Sequence, residues 1–221
     1  MRKFVLLFLA VLLALAPSVV AQTAATQATD VVSLPAPATS GGMTLTEALR
    51  TRRSTRNYTN VALTQQEISQ LLWAAQGIMD AKGHRAAPSA MAKYFLTLYV
   101  ATADGLFQYM PDGHKLKKLS STDLRAKLSQ QPSVSSAPAV FIITGDYARA
   151  KTSLNAPQDI APRFVDLEAG HATQNLLLQA TAIQLAGVTA GGIDPAQVAQ
   201  AASLPDSSRP IYLVPVGHPK L

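Results

Sequence analysis

Two rhythms of apolar residues divide this chain. Helical spacing comes first. Thr44-x-x-Glu47 and Thr64-x-x-Glu67 both have the spacing of a capping box, in which side chains satisfy orphan amides at a helix start. The first predicts a helix that reaches the cluster Arg52–Arg56. The second is followed by Ile68, Leu71, Leu72 and Ala75, which predicts a helix ending near Gly77 with Trp73 as a core aromatic. Residues 80–91, with Gly83 and Pro88, read as loop. Strand spacing then takes over. Alternation predicts a strand over Tyr94–Ala101. Leu106–Met110 and Lys115–Leu119 flank Pro111-Asp112-Gly113-His114, a strong hairpin turn. Ser121–Gln130 reads as helix. The unbroken apolar run Ala137–Thr144 predicts a buried central strand. Arg163–Leu185 is the longest helical pattern and is apolar nearly all round, so it is expected to be buried, with His171 a satisfied interior histidine. Val188–Gly192 reads as a short strand, Asp194-Pro195 as an N-cap and first helical residue, and Ile211–Val216 as a final strand. Helices and strands are mixed around an inserted hairpin, which makes the fold class α+β or a mixed α/β layer.

The N-terminus departs from this pattern. Arg2 and Lys3 precede an apolar run from Phe4 to Ala16, and Val19 and Ala21 stand at −3 and −1 of a cleavage position. Residues 1–21 therefore read as a signal peptide, and the protein as periplasmic or secreted, meeting the membrane only during export. Residues 22–43, rich in Ala, Thr, Ser, Pro and Gly, read as a flexible leader, and 44–221 as one folded domain. With no cysteine, an exported chain relies on packing or on oligomerisation rather than on disulfides. Without Arg2 and Lys3 the 19 basic residues fall to 17, against 13 acidic ones. That mild excess, with no basic run interleaved with aromatics, excludes a nucleic-acid-binding reading.

Candidate chemistry is sparse. The four histidines are scattered, with no metal-ligand spacing, no Gly-x-Ser-x-Gly elbow and no Walker loop. What remains is anion-friendly and backbone-permissive: Arg52-Arg53-Ser54-Thr55-Arg56, Pro88-Ser89-Ala90, Gly191-Gly192 and the tail Gly217-His218-Pro219-Lys220. Guanidinium forks and hydroxyls suit a phosphate, and on a continued helix Arg52 and Arg56 would share one face. A solvated basic helix end, favoured by the macrodipole, accounts for the cluster equally well. Adjacent glycines let backbone amides approach a flat ligand.

In order and spacing these pieces resemble the nitroreductase superfamily over Leu45–Leu221, and most closely its SagB-type dehydrogenase branch. The resemblance is carried by Arg52–Arg56, Leu71–Gly77, Arg85–Ala90, Gly105–Tyr109, Asp166–His171 with Gln174-Asn175, Gly191–Asp194 and Pro215–Pro219. It implies a nitroreductase-like fold with a mixed or antiparallel central sheet flanked by helices, and an intertwined homodimer. One FMN would lie in each of two interface sites. It further implies that Arg52, Ser54 and Arg56 hold the FMN phosphate and ribityl chain, and that Arg53 lies against the pyrimidine side. Pro88, Ser89 and Ala90 would reach the flavin of the second copy, and Gly191 and Gly192 would present amides to the ring.

Two positions depart from the family. Pro-Ser-Ala usually continues with Gly, a small residue and Leu-Tyr-Pro, where this chain has Met91-Ala92-Lys93-Tyr94-Phe95. The arginine that often follows the C-terminal Pro-Val-Gly is His218 here, with Lys220 as a substitute cation. The expected function is flavin-centred transfer of hydride or electrons from a reduced donor to a small organic acceptor, with the protein supplying position and electrostatics. A non-catalytic FMN carrier or sensor is the competing expectation.

Overall fold

Strand β5 (Ala139–Gly145) is buried along its whole length, as its apolar run predicts. Its side chains alternate between two cores. Ala139, Phe141 and Ile143 join one apolar cluster, while Val140 and Ile142 join the other. The structure, a computed structural model, describes residues 30–220. The predicted signal peptide and residues 22–29 lie outside them.

Around β5 lie β1 (Val31–Ser33), β2 (Leu96–Thr102), β3 (Gly105–Met110), β4 (Lys115–Ser120), β6 (Ala186–Gly187) and β7 (Arg209–Gly217). They form one seven-stranded sheet in the order β1-β4-β3-β2-β5-β7-β6. Every pair in it is antiparallel. The hairpin turns where Asp112-Gly113 predicts it. An added Cβ at Gly105 would fall 2.0 Å from Ser120 O, so only glycine fits the start of β3.

Helices cover both faces. The first core packs under α2 (Gln65–Gln76) and α6 (Ala161–Ala182). The second includes residues of α3 (Arg125–Leu128), α4 (Pro132–Ser135) and α7 (Pro195–Ala201). Two further helices, α1 (Leu45–Thr51) and α5 (Tyr147–Ser153), pack on α6. Thr64 and Glu67 close a full capping box on α2, and Asp194 caps α7 through the amides of Ala196 and Gln197.

Several expectations are corrected. The leader reading fails for residues 30–43. Val31–Ser33 pair with Lys115–Lys117, and the following strap is tied to α2 by Ser69 Oγ donating to Pro35 O and by Gln70 bonding both ways to Ala38. Low charge and small residues mark a strap on a surface as readily as a free linker. Of the helix expected over Ser121–Gln130 only Arg125–Leu128 forms, and a separate short turn, Pro132–Ser135, follows it. Only Ala186–Gly187 and a bridge at Ala190 stand for the strand over Val188–Gly192. Trp73 is half-buried beside the strap rather than in the core. The predicted interior helix α6 has an open face. Leu167 is 47% exposed, and Gly170, His171 and Gln174 are exposed with it. The 3.6-residue count places Leu167, His171 and Gln174 together, as expected, but on the outside.

The strap is locked by a histidine. Ser69 Oγ gives its proton to Pro35 O at 2.6 Å, so His114 Nε2 must donate to Ser69 Oγ at 2.7 Å. His114 Nδ1 is then free to accept from Tyr109 Oη at 2.8 Å. This geometry needs a neutral imidazole, and burial holds His114 below its ordinary value of 6.5. The unfolded chain takes up that proton near pH 6.5 while the folded chain resists it, so the contribution is intact above 6.5 and is lost as pH falls through the folded value. The melting temperature is expected to drop between pH 7.5 and 5.5, by an amount that His114→Asn removes. An identical drop in the variant would exclude this lock.

Candidate functional site

Helix α1 ends at Thr51, with Arg52, the first residue of the arginine cluster, as its C-cap. Arg52 donates its amide to Ala48 O but turns to φ −53°, ψ 126°, and the chain continues extended. The helical face on which Arg52 and Arg56 were to meet therefore does not form. An extended chain alternates its side chains, so Arg52, Ser54 and Arg56 occupy one set of positions and Arg53 and Thr55 the other. The segment lies between two neighbours. Ser54 bridges Gly187 and Thr55 N donates to Gly187 O at 3.1 Å; Tyr58 bridges Pro219, and Lys220 N donates to Asn57 O at 3.2 Å. A Cβ at Gly187 would fall 2.9 Å from Pro215 O, so the packing of β6 against β7 requires glycine at the position that Ser54 bridges. Tyr58 Oη donates to Thr55 O and lies 3.2 Å from Pro215 O; burial pushes its phenol up, with Arg56 opposing.

The fold thus brings Arg52, Arg53, Ser54, Arg56 and Lys220 onto one edge. Arg53 Nη1 is spent on the carbonyls of Arg50 and Arg52. The guanidiniums of Arg52 and Arg56, the Ser54 hydroxyl and the Lys220 ammonium make no hydrogen bond or ion pair among the described residues. His218 instead lies 3.6 Å from Glu67, at the start of α2.

Gly191 and Gly192 follow on the same edge of the sheet. Gly187 pairs with Val216 and Ala190 bridges Leu213, so the turn lies about four residues, or roughly 13 Å, along β7 from the Ser54 bridge. Neither glycine has positive φ. A Cβ on Gly191 would lie 3.2 Å from the Tyr212 ring and one on Gly192 would meet nothing within 4 Å, so the turn leaves open space beside two amides that lack a partner among the described residues. Four side chains suited to a dianion, and two open amides further along the same edge, fit an elongated phosphorylated ligand such as FMN.

Pro88, Ser89 and Ala90 do not join this edge. Ser89 Oγ donates to Glu168 Oε2 at 2.7 Å and accepts from Tyr94 N at 2.8 Å. Phe95 N donates to the same Glu168 oxygen at 3.1 Å. Glu168 is 1% exposed, and its other oxygen accepts from Gln76 Nε2 at 3.3 Å. Gln76 Oε1 in turn accepts from Arg85 Nη1 at 3.0 Å. Arginine can only donate, so this fixes the Gln76 amide and requires an acceptor at Glu168. One buried carboxylate thus pins both ends of a loop in which Met91, Ala92 and Tyr94 all have φ near +50°. Such backbone persists only where its surroundings hold it. Glu168, Gln76 and Arg85 were not among the site residues read from the sequence.

The Ser89 clasp sits at Glu168, in the first third of α6, whereas the Ser54 bridge sits at Gly187, past its end. At 1.5 Å per residue the stretch from Glu168 to Ala182 alone spans about 21 Å. One chain therefore does not bring Pro88–Ala90 to the arginine edge. Among the described residues no group of His, Asp and Glu is placed to hold a metal ion.

Comparison with known proteins agrees with this fold. The sequence signature of the Nitroreductase family matches residues 49–218. A nitroreductase-like protein of Methanocaldococcus jannaschii is 32% identical over 183 residues, covering 78% of this chain and 90% of the relative. The crystal structure of a nitroreductase-like protein of Ralstonia eutropha superposes with a TM-score of 0.80 at 30% identity, over 87% of this chain and 90% of that one. The NADPH:FMN oxidoreductase of Vibrio harveyi shares the fold, with a TM-score of 0.61 at 24% identity over 80% of this chain and 69% of that one. The matched span runs from α1 to the C-terminal tail, and the chain belongs to the nitroreductase family.

Proposed function

We propose that this protein is an FMN-dependent oxidoreductase that works as a homodimer, passing hydride or electrons from a reduced donor to a small organic acceptor such as a nitroaromatic or a quinone. The observation that carries this reading is the edge formed by Arg52, Ser54, Arg56 and Lys220, with the open amides of Gly191 and Gly192 further along it. The FMN in the name of the Vibrio harveyi NADPH:FMN oxidoreductase supports FMN as the ligand. When bound, the flavin would supply the redox chemistry. The chain's own part is to neutralise the phosphate and donate amide hydrogens to the ring edge. The sequence motifs favour the SagB-type dehydrogenase branch, and residues 1–21 favour action in the periplasm or outside the cell.

A second copy accounts for two features at once. It would cover the open α6 face around Leu167, together with Leu45 and Leu49 of α1, which are 66% and 55% exposed. Set antiparallel along α6, it would also carry its own Pro88–Ala90 loop to the arginine edge of the first. Leu167→Glu is expected to shift the protein from dimer to monomer in sedimentation velocity; a variant that sediments like the parent would place the interface elsewhere.

The left-handed Met91–Tyr94 loop favours one competing reading, a flavin carrier or sensor whose acceptor space is closed. Stopped-flow mixing of the FMN-loaded protein with NADH, NADPH and a quinol separates the two. Bleaching by one of them, reversed by an acceptor, is the expected result. Retained colour with all three would favour the carrier.

A further inference from the structure

A cavity of about 280 Å³ opens between the end of α2 and the β3–β4 hairpin, lined by Arg85, Gln76, Gln108, Leu98, Met110 and Asp112 among others. Arg85 is its cation and is unusually placed. Its guanidinium is half-buried over the Tyr94 ring, 4.7 Å from the centroid, and Nη1 alone has a hydrogen-bond partner among the described residues. That partner, Gln76, is 1% exposed and is itself held by Glu168, so the arginine is pre-positioned rather than free. Glu168 lies beyond Gln76, and Asp112 makes no ion pair with Arg85; among the described residues no carboxylate is within ion-pair distance of it. Burial accordingly pushes Arg85 below its ordinary value. A desolvated cation with unused, fixed donors beside an open cavity is an incomplete site.

We propose that this cavity binds a small monocarboxylate, its head on the Arg85 fork and its aliphatic body against Leu98 and Met110. The planar fork suits a carboxylate in two-point contact, and the cavity has room for a ligand of roughly ten non-hydrogen atoms. Asp112 in the same lining disfavours a second negative charge, so dicarboxylates are excluded. The site does not depend on the flavin, because none of the arginine-edge residues lines it.

The test is isothermal titration of the full chain with hexanoate, hexanamide and adipate. Hexanoate is expected to bind one per chain, at least tenfold more tightly than either of the others, and to weaken as salt rises. Arg85→Gln should remove that preference, and Arg85→Lys, which keeps the charge and loses the fork, should retain part of it. Hexanoate binding that equals hexanamide binding, or none in the ten-millimolar range, overturns the proposal. If Arg85→Gln does not fold, the acid–amide comparison and the Arg85→Lys variant decide it. Repeating the titration on flavin-depleted Arg52→Ala protein separates this site from the flavin: binding should persist, and its loss would place the acid at the cofactor instead.

Discussion

Glu168→Ala is expected to lower the melting temperature by about 10 °C. Ser89 Oγ, Phe95 N and Gln76 Nε2 all donate to this carboxylate. Removing it leaves two buried donors and the half-buried Ser89 hydroxyl without their acceptor, and half-buried Arg85 without its indirect countercharge. Each buried donor left unsatisfied costs about 1–3 kcal/mol, so the loss amounts to about 3–5 kcal/mol, and for a domain of this size each kcal/mol shifts the midpoint by about 2–4 °C. The loop it pins has left-handed backbone at Met91, Ala92 and Tyr94, which stores further strain ready to be released. Hydrogen exchange at residues 89–95 should therefore accelerate more than elsewhere. Glu168→Gln tests the mechanism more finely. Its amide can still accept from Ser89 and Phe95, but its NH₂ must then face the Gln76 NH₂. Turning Gln76 over moves the clash to Arg85. A smaller but clear loss of about 1–2 kcal/mol is expected, and a neutral effect would show that the chain of donors is not fixed as described.

Arg52→Ala is expected to weaken FMN retention about 10- to 150-fold, the equivalent of losing a charged hydrogen-bonding partner worth about 1.5–3 kcal/mol. The Arg52 guanidinium has no protein partner among the described residues, so its removal costs the fold little and the ligand much. Arg50 is the control. It lies two residues away but pairs with Glu47 at 2.6 Å on the outside of α1, and Arg50→Ala should leave flavin retention unchanged. Equal losses in both variants would mean that net charge, rather than a phosphate fork, governs binding. Unchanged retention in Arg52→Ala would remove that residue from the site.

Local chemistry made much of this architecture legible in the sequence. Capping residues at Thr64 and Asp194, the Asp112-Gly113 turn and the unbroken run of β5 each act within a few residues, and each element formed where its signal lies. Features set by distant contacts were not legible. The strap at 30–43 has no amphipathic signature, and its order comes from Ser69, Gln70 and His114, far along the chain. A shared helical face for Arg52 and Arg56 requires α1 to continue, but pairing with Gly187 and the C-terminal tail extends the segment instead. Glu168 had a signal that could have found it. It falls on the stripe of Val165, Ala172 and Leu176, where an isolated carboxylate needs buried donors. The exposed side of α6 misled for the opposite reason. A helix apolar on every side is buried, but its sequence does not say whether its own chain or a second copy covers it.

The central claim is that the arginine edge and the Gly191-Gly192 turn hold a flavin. Its most direct measurement is the visible absorption spectrum of the purified protein after incubation with FMN and removal of the excess. The account predicts bound flavin absorption at one FMN per chain, lost on Arg52→Ala and retained on Arg50→Ala. A protein that stays colourless after that incubation would contradict it.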